Sequence, residues 1–176
     1  MNSRERIMAS IEHKEPDKIP IDLGSSTVTG MSAIAYNKLK EKLGIKKDTL
    51  VFDVVQQLAL IDDEIINFFG VDALDINRVL MQEHDWYTVN LPDGSQGRYP
   101  EWFRPEQDDD GTFFLRDKKG KVMSRMPENS STFDQTLFPW EHGYPDNFDS
   151  IDEAFDSISW IAHSHSKYIN ISNDEL

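Results

Sequence analysis

Apolar positions in the first third of the chain recur at helical spacing and are cut by proline and glycine. Ile7, Met8 and Ile11 form one stripe behind Ser3 and Glu5, which predicts a helix from Arg4 to His13 capped by Ser3. Pro16-Asp17-Lys18 stops it, because proline disfavours helical geometry in the residue before it. Ile19-Pro20-Ile21-Asp22-Leu23 then reads as a short strand closed by Gly24. After the hydroxyl-rich loop GSSTVTG (24–30), Ser32 caps a second helix with Ala35, Tyr36, Leu39 and Leu43 on one face, and Gly44 ends it. Leu50 to Leu60 is strongly apolar and fits a strand or a helix equally well. A third helix is expected from Asp62 to Phe69, ended by Gly70, and Val71–Ile76 reads as a second strand. Helices and strands in this alternation predict an α/β fold with a parallel sheet or barrel.

The pattern changes after residue 84. Turn signals at Pro92-Asp93-Gly94, Asp109-Asp110-Gly111 and Lys118-Lys119-Gly120 separate aromatic and β-branched runs between 86 and 125, the signature of an antiparallel meander. Residues 126–148 read as an aromatic-rich loop punctuated by three prolines. Ser150-Ile151-Asp152-Glu153 is a capping box, and Ile151, Ala154, Phe155, Ile158, Ile161, Ala162 and His165 then share one helical face. Three segments follow: 1–84, 85–148, and 149–176 with its amphipathic helix and the start of a further strand.

Charge narrows the function classes. The chain has 176 residues and a formal net charge of −14, which argues against a nucleic-acid binder, because affinity for phosphate backbones comes from Lys and Arg. Residues 1–50 hold nine basic and seven acidic side chains, whereas 51–176 hold nine and 25. A solvated acidic face is the plain explanation, and a docking surface for a basic partner the sharper one. The absence of cysteine rules out disulfides, thiolate metal ligands and a cysteine nucleophile. The chain has no apolar run of the roughly 18–20 residues that cross a membrane. Its first ten residues lack the apolar core of a secretory signal, so a cytoplasmic location is expected.

Candidate chemistry collects at the ends of the two expected parallel strands. Asp22 precedes the GSSTVTG loop; Asp75, Asn77 and Arg78 lie in or just after the second strand, and His84 follows. A carboxylate can act as acid, base or acceptor, Asn bonds in both directions, and Arg clamps anions. Helix capping and local ion pairing account for the same residue types without any ligand. The run Asp108-Asp109-Asp110-Gly111 begins like a calcium loop, but the twelfth position is Lys119, so a hairpin turn is expected. Twelve of the 19 aromatic residues lie between 86 and 148, where they serve either cross-strand pairing or the wall of an aromatic ligand site.

The stretch RERIMASIEHKEPDKIPIDLG (4–24), the segment FFGVDAL (68–74), and the insertion with Asp-Gly turns followed by Phe138-Pro139-Trp140 together resemble the uroporphyrinogen decarboxylase superfamily. The resemblance implies the N-terminal part of a TIM-type (β/α)8 barrel with an antiparallel β-meander insertion. Such a barrel typically needs about 250 residues, so the barrel would be incomplete and the chain the N-terminal portion of a longer protein, prone to self-association or to pairing with a complementing chain. Residues 23–32, LGSSTVTGMS, lack the arginine that the decarboxylase branch uses to clamp its acidic substrate. The chain therefore looks closer to the corrinoid-dependent methyltransferases, in particular those that O-demethylate methoxylated aromatics. That likeness implies methyl transfer between a small substrate and a corrinoid carried by a partner protein. Zinc would be held by His and Cys ligands outside this chain, which holds no cofactor itself and is inactive alone. Carried over residue by residue, it leaves Asp22, Asn77, Arg78 and His84 as substrate-binding candidates and names no catalytic residue. A tetrapyrrole decarboxylase and a non-enzymatic assembly module are the alternatives.

Overall fold

The computed structural model describes residues 1–76, 85–117, 119–145 and 147–158. Helix α1 (Ser3–Ile11) starts one residue earlier than expected, with Asn2 as its cap: the Asn2 side chain accepts from the Glu5 amide, and Glu5 reaches back to the Asn2 amide. Helix α2 (Ala33–Leu43) is capped by Ser32 and stopped by Gly44 at φ +70°, both as the sequence indicates. The ambiguous segment resolves as a tight antiparallel hairpin, β1 (Val51–Asp53) and β2 (Leu58–Ala59). Its turn is built by the buried Asp53 carboxylate, which accepts from the amides of Val55 and Gln56, both at 2.9 Å. Helix α3 (Asp63–Phe69) follows and ends at Gly70, φ +61°.

Further on, β3 (Trp86–Asn90) and β4 (Gln96–Pro100) form one hairpin. A separate four-stranded antiparallel sheet contains β5 (Glu106–Gln107), β6 (Phe113–Arg116), β7 (Val122–Met126) and β8 (Asp134–Gln135), in that order. Asp108–Gly111 is the β5–β6 turn, as expected, with Gly111 at φ +85°. Helix α4 (Ile151–Ile158) closes the described chain, and the remainder of the expected C-terminal helix and strand lies outside the described residues.

The expected α/β barrel portion is not formed. Every laddered strand pair among the described residues is antiparallel, and the parallel pairing there is limited to single bridges, Asp22 to Ala73 and Leu50 to Arg98. Pro20 removes one ladder donor from the first expected strand. The Ile21 amide bonds to the Asp72 side chain instead of a neighbouring backbone, and the Gly24 amide turns back onto the Thr29 carbonyl. The apolar run 50–60 adds no parallel strand, because it folds back on itself at Asp53. The architecture is a mixed one of short helices and small antiparallel sheets.

One apolar cluster joins these parts. Ala33 and Tyr36 from α2, Val51 and Ala59 from the first hairpin, Ile65 from α3, Tyr99 from β4, Phe103, Met123 and Met126 from β7, and Phe133 are all buried in it. Phe103 meets Tyr99, Trp102 and Phe133 edge to face at 5.1–5.8 Å, the geometry favoured by the ring quadrupole. The Phe133 amide donates to the Val55 carbonyl, tying the loop before β8 to the first hairpin. No helix among the described residues is long and apolar enough to cross a membrane.

Candidate functional site

The end of the molecule that carries Asp22 is fixed by one arginine. Arg6 is buried on α1 and reaches three segments at once. Its Nε and Nη2 donate to the two oxygens of Asp17 at 2.7 and 3.0 Å, Nη1 donates to Asp72, and Nη2 also donates to the Met1 carbonyl at 2.9 Å. The other oxygen of Asp72 accepts from the Ile21 amide at 3.0 Å. A planar, five-donor guanidinium suits such a fork, which a lysine could not reproduce. Asp17 is held well below the usual carboxylate range by the Arg6 hydrogen bond and then by the N-terminal amine. Asp72 is lowered chiefly by the Ile21 amide, with Arg6 contributing.

This clasp lays residues 19–23 beside 71–74, with the Asp72 amide donating to the Ile21 carbonyl at 2.7 Å and Asp22 bridging Ala73 in parallel. The GSSTVTG loop and residues 74–76 therefore emerge side by side. Asp22 itself is exposed and organises that loop: Oδ1 accepts from the Ser25 amide at 3.1 Å and the Thr29 hydroxyl at 3.0 Å, and Oδ2 accepts from the Ser25 hydroxyl at 2.6 Å. Three of the roughly four acceptor positions of a carboxylate are thus occupied within the loop, so Asp22 positions hydroxyls rather than standing ready as a base. Val28 projects at the loop apex with 91% exposure. Asn77, Arg78 and His84, the other substrate-binding candidates, lie outside the described residues.

The most concentrated polar chemistry is internal and leaves little trace in the sequence. The Tyr36 hydroxyl donates to Asp62 Oδ2 at 2.8 Å and accepts from the Asp62 amide at 2.7 Å. Lys40, one turn along α2 and 3% exposed, sits 4.8 Å over the Tyr36 ring, 3.5 Å from Asp62 and 2.8 Å from the Lys47 carbonyl. Burial pushes the Lys40 ammonium down, with Asp62 opposing it. The only sequence signal was a Tyr and a Lys four residues apart on one helix, a spacing that ordinary surface helices also show. A second buried pair joins Tyr99 and Gln57, whose Nε2 donates to the Val54 carbonyl at 2.5 Å. Both groups link elements of the core and are closed to a ligand.

Two cavities are relevant to binding. One of about 10 Å³, lined by Ala33, Gln57, Leu91 and neighbours, has room for one water at most. A shallow depression of about 610 Å³ lies between the β5–β6 turn and residues 127–130, lined by Asp110, Thr112, Glu128, Asn129 and Ser130. Beside it, Asp108 is pushed up because its carboxyl hydrogen-bonds the Asp110 carboxylate, which the Thr112 hydroxyl holds down.

The zinc implied by the resemblance does not fit the donors seen here. The chain has no cysteine, His13 and His142 are both exposed, and no group of three or more His, Asp or Glu among the described residues could hold a metal. No protein-family model, curated protein or solved structure matches the chain.

Proposed function

We propose that this chain is the substrate-side component of a methyl-transfer system related to the uroporphyrinogen decarboxylase superfamily, moving a methyl group between a small methoxyaromatic compound and a corrinoid carried by a separate protein. One observation supports it above the others. The two stretches that carry the resemblance, 4–24 and 68–74, are far apart in sequence and are joined by the Arg6–Asp17–Asp72 clasp, which uses the motif's own charged residues. The clasp sets the Asp22 loop beside residues 74–76, and the Ser25 and Thr29 hydroxyls held on one carboxylate suit orientation of a small polar aromatic. By the same resemblance, the zinc and the corrinoid are carried by other polypeptides.

The test is ligand-observed NMR with a panel of methoxybenzoates, together with methyl transfer to reduced cobalamin in the presence of zinc. The expected result is binding that Asp22→Ala weakens about tenfold, the loss of roughly one oriented hydrogen-bonding group, and no transfer by the isolated chain. Absence of binding, or binding indifferent to Asp22→Ala, overturns the substrate assignment. Transfer by the isolated chain overturns the assignment of the metal centre elsewhere.

A further inference from the structure

The surface beyond β8 is rich in exposed aromatic side chains. Phe138, Trp140, Tyr144 and Phe148 are 53%, 37%, 87% and 81% exposed, although such rings are the side chains with most to gain from burial. Trp140 and Tyr144 meet at 6.0 Å between ring centroids. Short-range bonds hold the segment in turns: the Glu141 amide donates to the Phe138 carbonyl, the Gly143 amide to the Trp140 carbonyl, and the Ile151 amide to the Phe148 carbonyl, at 3.1–3.2 Å. The rings are presented, not merely left over. Glu141, Asp149 and Asp152 are exposed beside them in sequence. From residue 126 to 158 the chain contains eight acidic residues and no lysine or arginine.

Elsewhere the same chain shows what such a combination accepts. Arg104 lies 3.5 Å from the centre of the Tyr87 ring and pairs with Glu101; Arg116 lies 4.5 Å from the Phe114 ring and pairs with Glu106. In each case one guanidinium covers an aromatic face and neutralises a nearby carboxylate. Around Trp140, Tyr144 and Phe148 the rings and carboxylates are present, and the chain supplies no cation in that stretch.

We propose that Phe138, Trp140, Tyr144 and Phe148, with Glu141 and Asp149, form a docking surface for a partner protein that presents an amphipathic segment of arginines alternating with apolar side chains. Charge selects that occupant. A second copy of a chain with net charge −14 is repelled, and nucleic acids and anionic membranes carry the wrong sign. The rings supply desolvated anchors, and the carboxylates supply steering and register.

Fluorescence anisotropy with labelled synthetic peptides tests this on the full chain. A helical Leu/Arg peptide should bind, with affinity falling about tenfold between roughly 50 and 300 mM salt as charge is screened. Trp140→Ser/Tyr144→Ser/Phe148→Ser should weaken binding at least about tenfold, as loss of aromatic anchors does. Glu141→Lys/Asp149→Lys should weaken it comparably and provides the same test if the triple variant fails to fold. Asp22→Ala should leave it unchanged, which separates this surface from the substrate site. The proposal is overturned if an Arg/Ser peptide without apolar residues or a charge-reversed Leu/Glu peptide binds as well. It is equally overturned if the variants have no effect, if phosphatidylcholine vesicles bind in place of the peptide, or if sedimentation shows the patch occupied by a second copy.

Discussion

Removing one hydroxyl at the centre of the Tyr36–Lys40–Asp62 group should cost more than its size suggests. Tyr36→Phe keeps the ring, so no cavity opens and Lys40 keeps the aromatic face 4.8 Å away. Two hydrogen bonds disappear: the 2.8 Å donation to the Asp62 carboxylate and the 2.7 Å acceptance from the Asp62 amide. A bond to an ionised group is worth about 1.5–3 kcal/mol and a neutral one about 1 kcal/mol. Asp62 is 18% exposed, so water recovers part of that loss. The expected destabilisation is therefore about 2–3 kcal/mol, a large share of a typical domain stability of about 5–15 kcal/mol. Urea unfolding followed by far-ultraviolet circular dichroism should show a lower midpoint at unchanged slope. Lys40→Met, which removes a buried charge and keeps the stem, should cost less, because desolvation already offsets much of that ion pair. Both side chains act on the same carboxylate, so the double variant should deviate from additivity by more than about 0.5 kcal/mol. A Tyr36→Phe effect below about 0.5 kcal/mol, or strict additivity, would refute the claim that this network ties α2 to the start of α3.

Arg6→Met should lower stability at neutral pH and flatten its acid dependence. Asp17 and Asp72 are held below their ordinary 3.8, so their contribution is complete above that value and lost as pH falls through the folded-state titrations. The gap in urea midpoint between wild type and Arg6→Met should shrink on acidification, and a constant gap would contradict the clasp. At the alkaline end, burial raises Tyr87 and Tyr99 above their ordinary 10.0, so the stability they contribute is full below that pH and declines above it. Phenolate absorbance should show these two ionising only with unfolding; smooth titration of all five tyrosines while the fold persists would count against their burial. Gly24→Ala should destabilise by about 1–3 kcal/mol through strain, since φ is +82° and the added Cβ would sit 2.7 Å from Ile61 Cγ1. Gly44→Ala, at φ +70° with nothing within 4 Å, should cost only about 1 kcal/mol, and equal melting losses for the two would show that Ile61 yields.

Local chemistry was legible and pairing was not. Ser32 and Gly44 delimit α2 because a hydroxyl acceptor and a left-handed glycine act within one turn of the backbone they serve. Ile19–Leu23 and Val71–Ile76 have strand-like composition, yet each contributes one bridge residue, because the Asp72 side chain takes the donor that a ladder would need. Strands β5 and β8 are two residues long and leave no periodic trace. Lys40 lies one turn after Tyr36, on the side of α2 opposite Lys38 and Lys42, but only the tertiary positions of Asp62 and Lys47 show what its ammonium meets.

The same distinction bears on what the family-like motif means. Arg6 and Asp17 belong to the stretch 4–24, and Asp72 belongs to 68–74; all three are consumed by one structural clasp. Their role is to fasten α1 to two extended segments and so to place the Asp22 loop, and they take no direct part in a reaction. Asp22, also within the motif, is exposed, and three of its acceptor positions already serve Ser25 and Thr29. On the proposed function, substrate binding at this end of the molecule runs through the hydroxyls that Asp22 orients. Ser25→Ala and Thr29→Ala should then reproduce the binding loss of Asp22→Ala while leaving the melt close to wild type, whereas Arg6→Met should lower both together. If the hydroxyl variants bind a methoxyaromatic as wild type does, the motif describes a fastening and the substrate lies elsewhere.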